Sequence, residues 1–574
     1  MKPLARASRR ARITSGTCLP LLALLATSAH AVTGSANSGA LLRQNPELSP
    51  ETRPRERRAE RFRTGTLSPG QSSAAGELTF QVRDLQFEGE LSQDERRRID
   101  AFIAPLRGRA TTLARLQTLR AEITALLYRD GETLVSVQLP PQTVENGVVR
   151  FDVVRGHVEA VSVDNRSSVS GRSLREVLAS RDFGTPSLRT IERNVRRMQE
   201  VSGVGTATPV LSVGEQPGGT RVTVVVEPDK PYYGSVLVDN AGSASAGERR
   251  MGIGGGIRNP FGRGDRLDAL LYLTPSSLQS QGEQNGWTRL GRLSYDTLVG
   301  LGATRVGAMY SQVKYRLGGE FAGLGKGSAD VASVYAQYPL VRDDALSLDV
   351  SGSVEHRDLV DSRFDGLLES RRSGSYATLR ADGVSNGAIA GRPNTLQYSL
   401  GVGYGSSAQR ELDRTDADTP PARRRRSFAK IEASVGLMRA IKDDVILTAL
   451  LRGQGSNRPL DASERMGLSG PGAVRAYGQG VAAVDDGAIA TAGAVIRVPG
   501  IAGATVSAFY DAARGRTRAE FGMRAATVTL LGYGAGIGYS RNGLSAQASY
   551  ARPTGRVPEG VGRGQFWFTL GKAF

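Results

Sequence analysis

Residues 346–355 read LSLDVSGSVE, with apolar and polar positions alternating without a break. Leu544, Ala546, Ala548 and Tyr550 alternate in the same way with Ser545, Gln547 and Ser549. A period of two sends one set of side chains to each face of a strand. Beyond Pro231 this pattern recurs between Gly, Asn, Asp and Pro turns, and helical spacing is gone. The segment predicts about sixteen strands of about 21 residues each, turn included, an even number with enough length to cross a bilayer at a tilt. Strands with one apolar and one polar face suit a soluble sandwich or a membrane barrel. The closing stretch QFWFTLGKAF favours the barrel, because it sets Phe566, Phe568, Leu570 and Phe574 on one face of a last strand.

Between Thr79 and Pro231 the pattern is mixed. A strand with Phe80, Val82, Leu85 and Phe87 leads into a polar helix from about Gln93. A second helix opens at Thr112 and carries Leu116, Leu119, Ile123, Leu126 and Leu127 at helical spacing, with Gly131 as its stop. Strands over 134–139 and 148–154 complete a β-α-α-β-β order. The order then recurs: a strand over 158–163, a helix whose capping box is Ser173 and Glu176, and a helix with Leu188, Ile191, Val195 and Met198. Strands at 209–213 and 221–227 close the second unit. The fold class is therefore two small α+β units followed by an all-β barrel.

Composition adds compartment and exclusions. Residues 1–31 join Lys2, Arg6, Arg9, Arg10 and Arg12 to the apolar run at 19–26 and finish Ala29-His30-Ala31, the form of a cleaved export signal. Without it the formal charge of +18 drops to about +13, and the one cysteine, Cys18, is lost. No disulfide or thiolate site is then expected. His157 and His356 are too few for a histidine-rich metal centre or a Ser/His/Asp arrangement, so neither metal, cofactor nor enzymatic chemistry is expected. Basic residues are scattered among acidic ones with no aromatic-basic module, which argues against nucleic acid. The GxG elements in GIGGGIRNPFGRG and GYGAGIG do not lead from a strand into a helix, as a phosphate loop would. The alternating Gly532, Gly534, Gly536 and Gly538 predict a strand face that lets another surface come close.

Several stretches resemble one family, the outer-membrane transporters of two-partner secretion, or haemolysin secretion/activation proteins. LPPQTVENGVVRFDVVRGHVEAV is similar to the end of that family's first POTRA domain, and VLVDNAGSASAGERR with NPFGRGDRL to its first barrel hairpin and turn. Val474-Arg475-Ala476-Tyr477 resembles its VRG[YF] loop motif, and Phe509-x-Asp511 its F-x-D-x-G wall motif; Ala476 and Ala513 stand where the family has glycine. The resemblance implies a signal peptide (1–31), a plug helix and linker (32–76), two POTRA domains (77–156 and 157–230) and a sixteen-stranded barrel (231–574). It implies an outer-membrane location with the POTRA domains in the periplasm. The implied partners are membrane lipid and a secreted exoprotein that is met by the POTRA domains and passed outward unfolded. An assembly factor for other membrane proteins is the alternative, although two POTRA domains are few for one. The charged stretch Glu47 to Arg63 is the plug expected from the resemblance, confined by Pro50 and Pro54 to its later part.

The segment from Gly453 to Gly487 is far longer than a hairpin needs. If Ala504, Val506, Ala508 and Tyr510 face lipid, Phe509 and Asp511 face the lumen. On spacing alone Arg475 is a solvated turn residue and Asp511 an ordinary pore carboxylate. With the resemblance, the loop folds inward and Arg475 offers its planar fork to Asp511, a pair worth about 1.5 to 3 kcal/mol where water is kept out. The tip is expected to be shaped differently from the family pattern, because Ala476 stands where the family has glycine and alanine tolerates positive φ poorly.

Overall fold

The computed structural model describes residues 37–45, 79–128, 134–144, 146–179, 188–216, 219–278, 285–300, 303–343, 345–413, 422–519, 524–555, 562 and 564–574. The export signal at 1–31 and the stretch Glu47 to Arg63 lie outside these residues.

Helix α1 (Ser38–Gln44) comes first among the described elements. Strands β1 (Thr79–Gln81) and β2 (Asp84–Gly89) then lead into α2 (Gln93–Ile103). A capping box starts α2: the Ser92 hydroxyl accepts from the Glu95 backbone N–H, and the Glu95 carboxylate accepts from that of Ser92. Helix α3 (Leu113–Tyr128) is opened by Thr112, whose hydroxyl accepts from Arg115 N at 3.2 Å. Its Leu116, Leu119, Ile123 and Leu127 bury against Ile99, Ile103, Val149 and Phe151.

The next strand departs from expectation. Segments 148–154 and 158–163, read as separate, form one eighteen-residue strand (Val148–Asn165). Its first half pairs with β2 and with Leu134–Gln138, and its second half with Gly219–Pro228. Gly156 interrupts the apolar pattern, yet it pairs with Leu134 while His157 pairs with Gly219, so ladder bonds carry the backbone across the break. One continuous strand thus joins the two small units.

The second unit corrects a cap as well. Helix α4 (Gly171–Leu178) is capped by Ser170, which accepts from Ser173 N, and Glu176 instead pairs with Arg172. The hydroxyl with extended backbone just before the first turn is the one placed to cap, and Ser173 already lies inside the helix. Helix α5 (Leu188–Gln199) packs Ile191, Val195 and Met198 on Val222, Val224 and Val226.

From Tyr232 onward sixteen antiparallel strands close on themselves, the last (Gln565–Ala573) pairing with the first (Tyr232–Asp239). Leu400, Val402, Tyr404, Ile431, Ile537 and Phe566 are exposed on the outside, as a lipid-facing band requires. The second small unit is seated on one end of this barrel. Ser170 N–H donates to Gly262 O at 2.7 Å, Arg197 donates to the Pro339 and Leu340 carbonyls, and Arg342 bonds Glu200 at 2.7 Å.

Candidate functional site: a latched loop and a plug in the barrel lumen

The inward loop occupies residues 457–485, between strands Val445–Ser456 and Asp486–Arg497, and is shorter than the Gly453 to Gly487 span read from sequence. Gly453, Gly455 and Gly487 sit in the ladder instead. Wall glycines make room for the loop. A Cβ on Gly487 or Gly515 would collide with Val484, and one on Gly532 with Ala476.

The loop is a small core in its own right. Leu468, Val474, Ala476, Tyr477 and Val484 are buried together with the wall residues Ile489, Phe509, Ala513 and Leu530. Farther along, Leu460 seats against Tyr376 and Phe428. The Tyr477 hydroxyl donates to Leu531 O at 3.3 Å. Ala476 is buried and absent from the residues with positive φ, a place taken by Gly470 and Gly480. Ala476 thus needs no positive φ: the tip needs space at this position, and Gly532 opposite supplies it.

Strand Ala504–Thr517 turns Val506 and Tyr510 outward and Phe509, Asp511 and Ala513 inward. Arg475 Nε donates to Asp511 Oδ2 at 2.8 Å and Nη2 to Oδ1 at 2.7 Å, a two-pronged bond. Arg475 N adds a third contact at 3.1 Å and the Thr491 hydroxyl a fourth at 2.9 Å, so the fully buried Asp511 carboxylate is surrounded by donors. The guanidinium also lies over the Phe509 ring, 3.2 Å from its centroid. Trp567 Nε1 donates to Arg475 O at 2.7 Å, which ties the last strand to the tip. Sequence reading missed Thr491 and Trp567. The alternation of the last strand held a signal for Trp567, since it falls on the face opposite Phe566 and Phe568.

A short helix, α1, sits in the lumen, and the stretch Glu47 to Arg63, expected as the plug, lies outside the described residues. Within the lumen Leu41 of α1 packs with Tyr272, Leu290, Val313, Tyr315 and Leu359. The niche that receives α1 is apolar at its centre and polar at its rim. At the rim, Ser38 N and Oγ donate to Asp361 at 2.8 and 3.0 Å, and Arg43 pairs with Glu432 at 2.5 Å.

Plug and loop meet through wall charges. Arg372 binds both Asp361, which holds Ser38, and Asp461 of the loop. Lys430 binds both Glu432, which holds Arg43, at 3.0 Å, and Glu464 of the loop at 2.7 Å. Removing one member of such a shielded pair costs about 3 to 5 kcal/mol, because the other charge is left uncompensated. Among the described residues no group of three or more His, Cys, Asp or Glu is placed to hold a metal ion.

This architecture has relatives. The profile described as haemolysin secretion/activation protein ShlB/FhaC/HecB matches residues 218–539, and that of the ShlB-type POTRA domain matches residues 80–156. The heme/hemopexin transporter protein HuxB of Haemophilus influenzae is 24% identical over 560 residues, covering 94% of this chain and 95% of the relative. The outer membrane transporter CdiB of Dickeya dadantii is 23% identical over 408 residues, 69% of each. Among solved structures, CdiB from Escherichia coli superimposes with a TM-score of 0.60 at 19% identity, over 89% of this chain and 93% of that one. With a POTRA region below a closed sixteen-stranded barrel and the family profile spanning more than half its length, the chain belongs to the haemolysin secretion/activation protein family, the outer-membrane transporters of two-partner secretion.

Proposed function

We propose that the two small units capture one exoprotein in the periplasm as an extended chain, and that the barrel passes it outward, unfolded, once α1 and the inward loop yield. The observation that carries this reading is the edge strand Val204–Val213. It is last in the sheet order, so among the described residues its outer edge has no strand beside it. Edges of this kind are commonly guarded by charges or proline; this strand has no charge and a single proline, Pro209, and beyond it Val210, Leu211 and Val213 are 48%, 45% and 91% exposed. Main-chain pairing along such an edge gives affinity without a folded partner, and the exposed side chains give selectivity. Assembly of other membrane proteins is the weaker alternative, since the relatives with named roles are transporters.

The test places a charge on the edge. Val210→Lys with Val213→Lys is expected to weaken binding of the partner's N-terminal domain to the purified transporter about tenfold or more and to reduce secretion in parallel. Unchanged binding would remove this edge from the reading.

A further inference from the structure

The outer surface of the barrel carries a positive tier above its lipid band. On strand Arg392–Asp413 the outward side chains Leu400, Val402 and Tyr404 are 52%, 47% and 58% exposed, and the same parity continues through Ser406 and Ala408 to Arg410. Val402 lies in one row with the exposed Leu379 and Ile431 of the neighbouring strands. Parity with these two residues places Arg371 and Arg425 on the outward face as well, and both are exposed. Arg371 stands directly opposite Arg410, and Arg425 opposite Ala408. Like charges facing each other across a ladder are destabilising.

Neighbouring carboxylates leave the tier positive. Glu369 pairs with Arg371, and Asp358, opposite Ser373, lies beside His356 at 3.6 Å. Among the described residues no carboxylate comes within ion-pair distance of Arg410 or Arg425. The tier lies at the end of the barrel away from the second small unit, whose contacts are with Gly262, Pro339, Leu340 and Arg342.

Height selects the occupant. Tyr404 is the last exposed large apolar residue of its strand, Leu412 beyond Arg410 being half-buried, and Arg425 and Arg410 fall four and six residues beyond its row. At about 3.4 Å per residue and a tilt of about 40°, they stand about 10 and 15 Å above it. A phospholipid headgroup layer extends only about 5 to 8 Å beyond the hydrocarbon on each side. A phosphorylated sugar headgroup reaches the tier, and a guanidinium fork matches phosphate oxygens in pairs. We propose that Arg371, Arg410 and Arg425 form a binding site for the phosphate groups of the outer leaflet's phosphorylated glycolipid.

The full-length protein in detergent is offered three probes: the purified phosphorylated glycolipid, the same glycolipid after chemical dephosphorylation, and phosphatidylglycerol vesicles. Retention is read by native mass spectrometry for the glycolipids and by co-flotation for the vesicles. The protein is expected to hold the phosphorylated glycolipid about tenfold tighter than either alternative. The triple variant R371Q/R410Q/R425Q is expected to lose that preference while still migrating as a folded, heat-modifiable barrel. Equal binding of the dephosphorylated glycolipid or of the vesicles by the unaltered protein would overturn the proposal, and needs no variant to fold. Equal retention by a folded triple variant would overturn it too.

Discussion

Arg475 and Ala476 are neighbours with opposite demands on the wall. Arg475 needs a carboxylate, and Asp511 meets it with both oxygens in a place closed to water. Arg475→Ala would strand that carboxylate with Thr491 and one backbone N–H, a loss of about 3 to 5 kcal/mol for a broken buried pair. The barrel ladder does not depend on the pair. Secretion is therefore expected to fall severely in Arg475→Ala with folded barrel still present by heat-modifiable migration, and to recover in part in Arg475→Lys, which restores charge without the fork. A variant that exports its partner normally would show the latch to be dispensable. Ala476 needs space. Gly532→Ala is expected to lower loop stability by about 1 to 3 kcal/mol, as overpacking does, seen as faster protease cleavage within residues 457–485. Adding Ala476→Gly should restore protection, because the two residues share one gap. Additive losses in the double variant would contradict that account.

Helices in the small units stand on local chemistry that a single proton can alter. At the start of α2, burial pushes the Glu95 carboxyl up, but the hydrogen bonds with Ser92 and the Arg155 guanidinium outweigh it and hold the group below its ordinary value of 4.5. A lowered acid contributes stability that is present above the unfolded pKa and fades as pH falls through the folded one. Amide-exchange protection in the first turn of α2 is thus expected to exceed that of Glu95→Gln at neutral pH, with the gap closing below pH 4.5. A gap that stays constant with pH would mean that the carboxylate charge contributes nothing. The long strand Val148–Asn165 acts at the same scale: because it belongs to both units, any bend between them must come at its register shift near Val158 and Ala160.

Across the whole molecule, the plug, the loop and the wall form one charge-linked body. Asp361 accepts from Ser38 of the plug, from the Tyr315 hydroxyl and from Arg372, which in turn binds Asp461 of the loop. Asp361→Ala would leave the N-terminal end of α1 with a single 3.4 Å bond from Arg372 Nη2 to Ser38 Oγ, and Arg372 with Asp461 as its one remaining carboxylate. In planar bilayers this variant is expected to show more frequent and larger openings than the unaltered protein. Identical currents would mean that Leu41, Arg43 and the buried Arg250–Asn45 bond hold the plug without Asp361. On the periplasmic side Arg197 donates to two carbonyls and lies over the Tyr338 ring.

Much of this was legible in the chain. Period-two alternation determined the strands, because a barrel wall separates lipid from lumen at every residue, and helical spacing determined α3 and α5, because each presents one face to a sheet. The motif residues Arg475 and Asp511 could be named from sequence, but not their setting. Thr491, Trp567 and Gly532 come from three other strands, and only closure of the barrel brings them to the tip. Helix α1 could not be read from sequence for the same reason: residues 38–44 are too short and mixed to show a pattern, and what selects them is an apolar niche contributed by Tyr272, Leu290, Val313 and Leu359 of separate strands. Local pattern reports which way a side chain must face; which distant residue it meets is decided by the register of strands far apart in the chain.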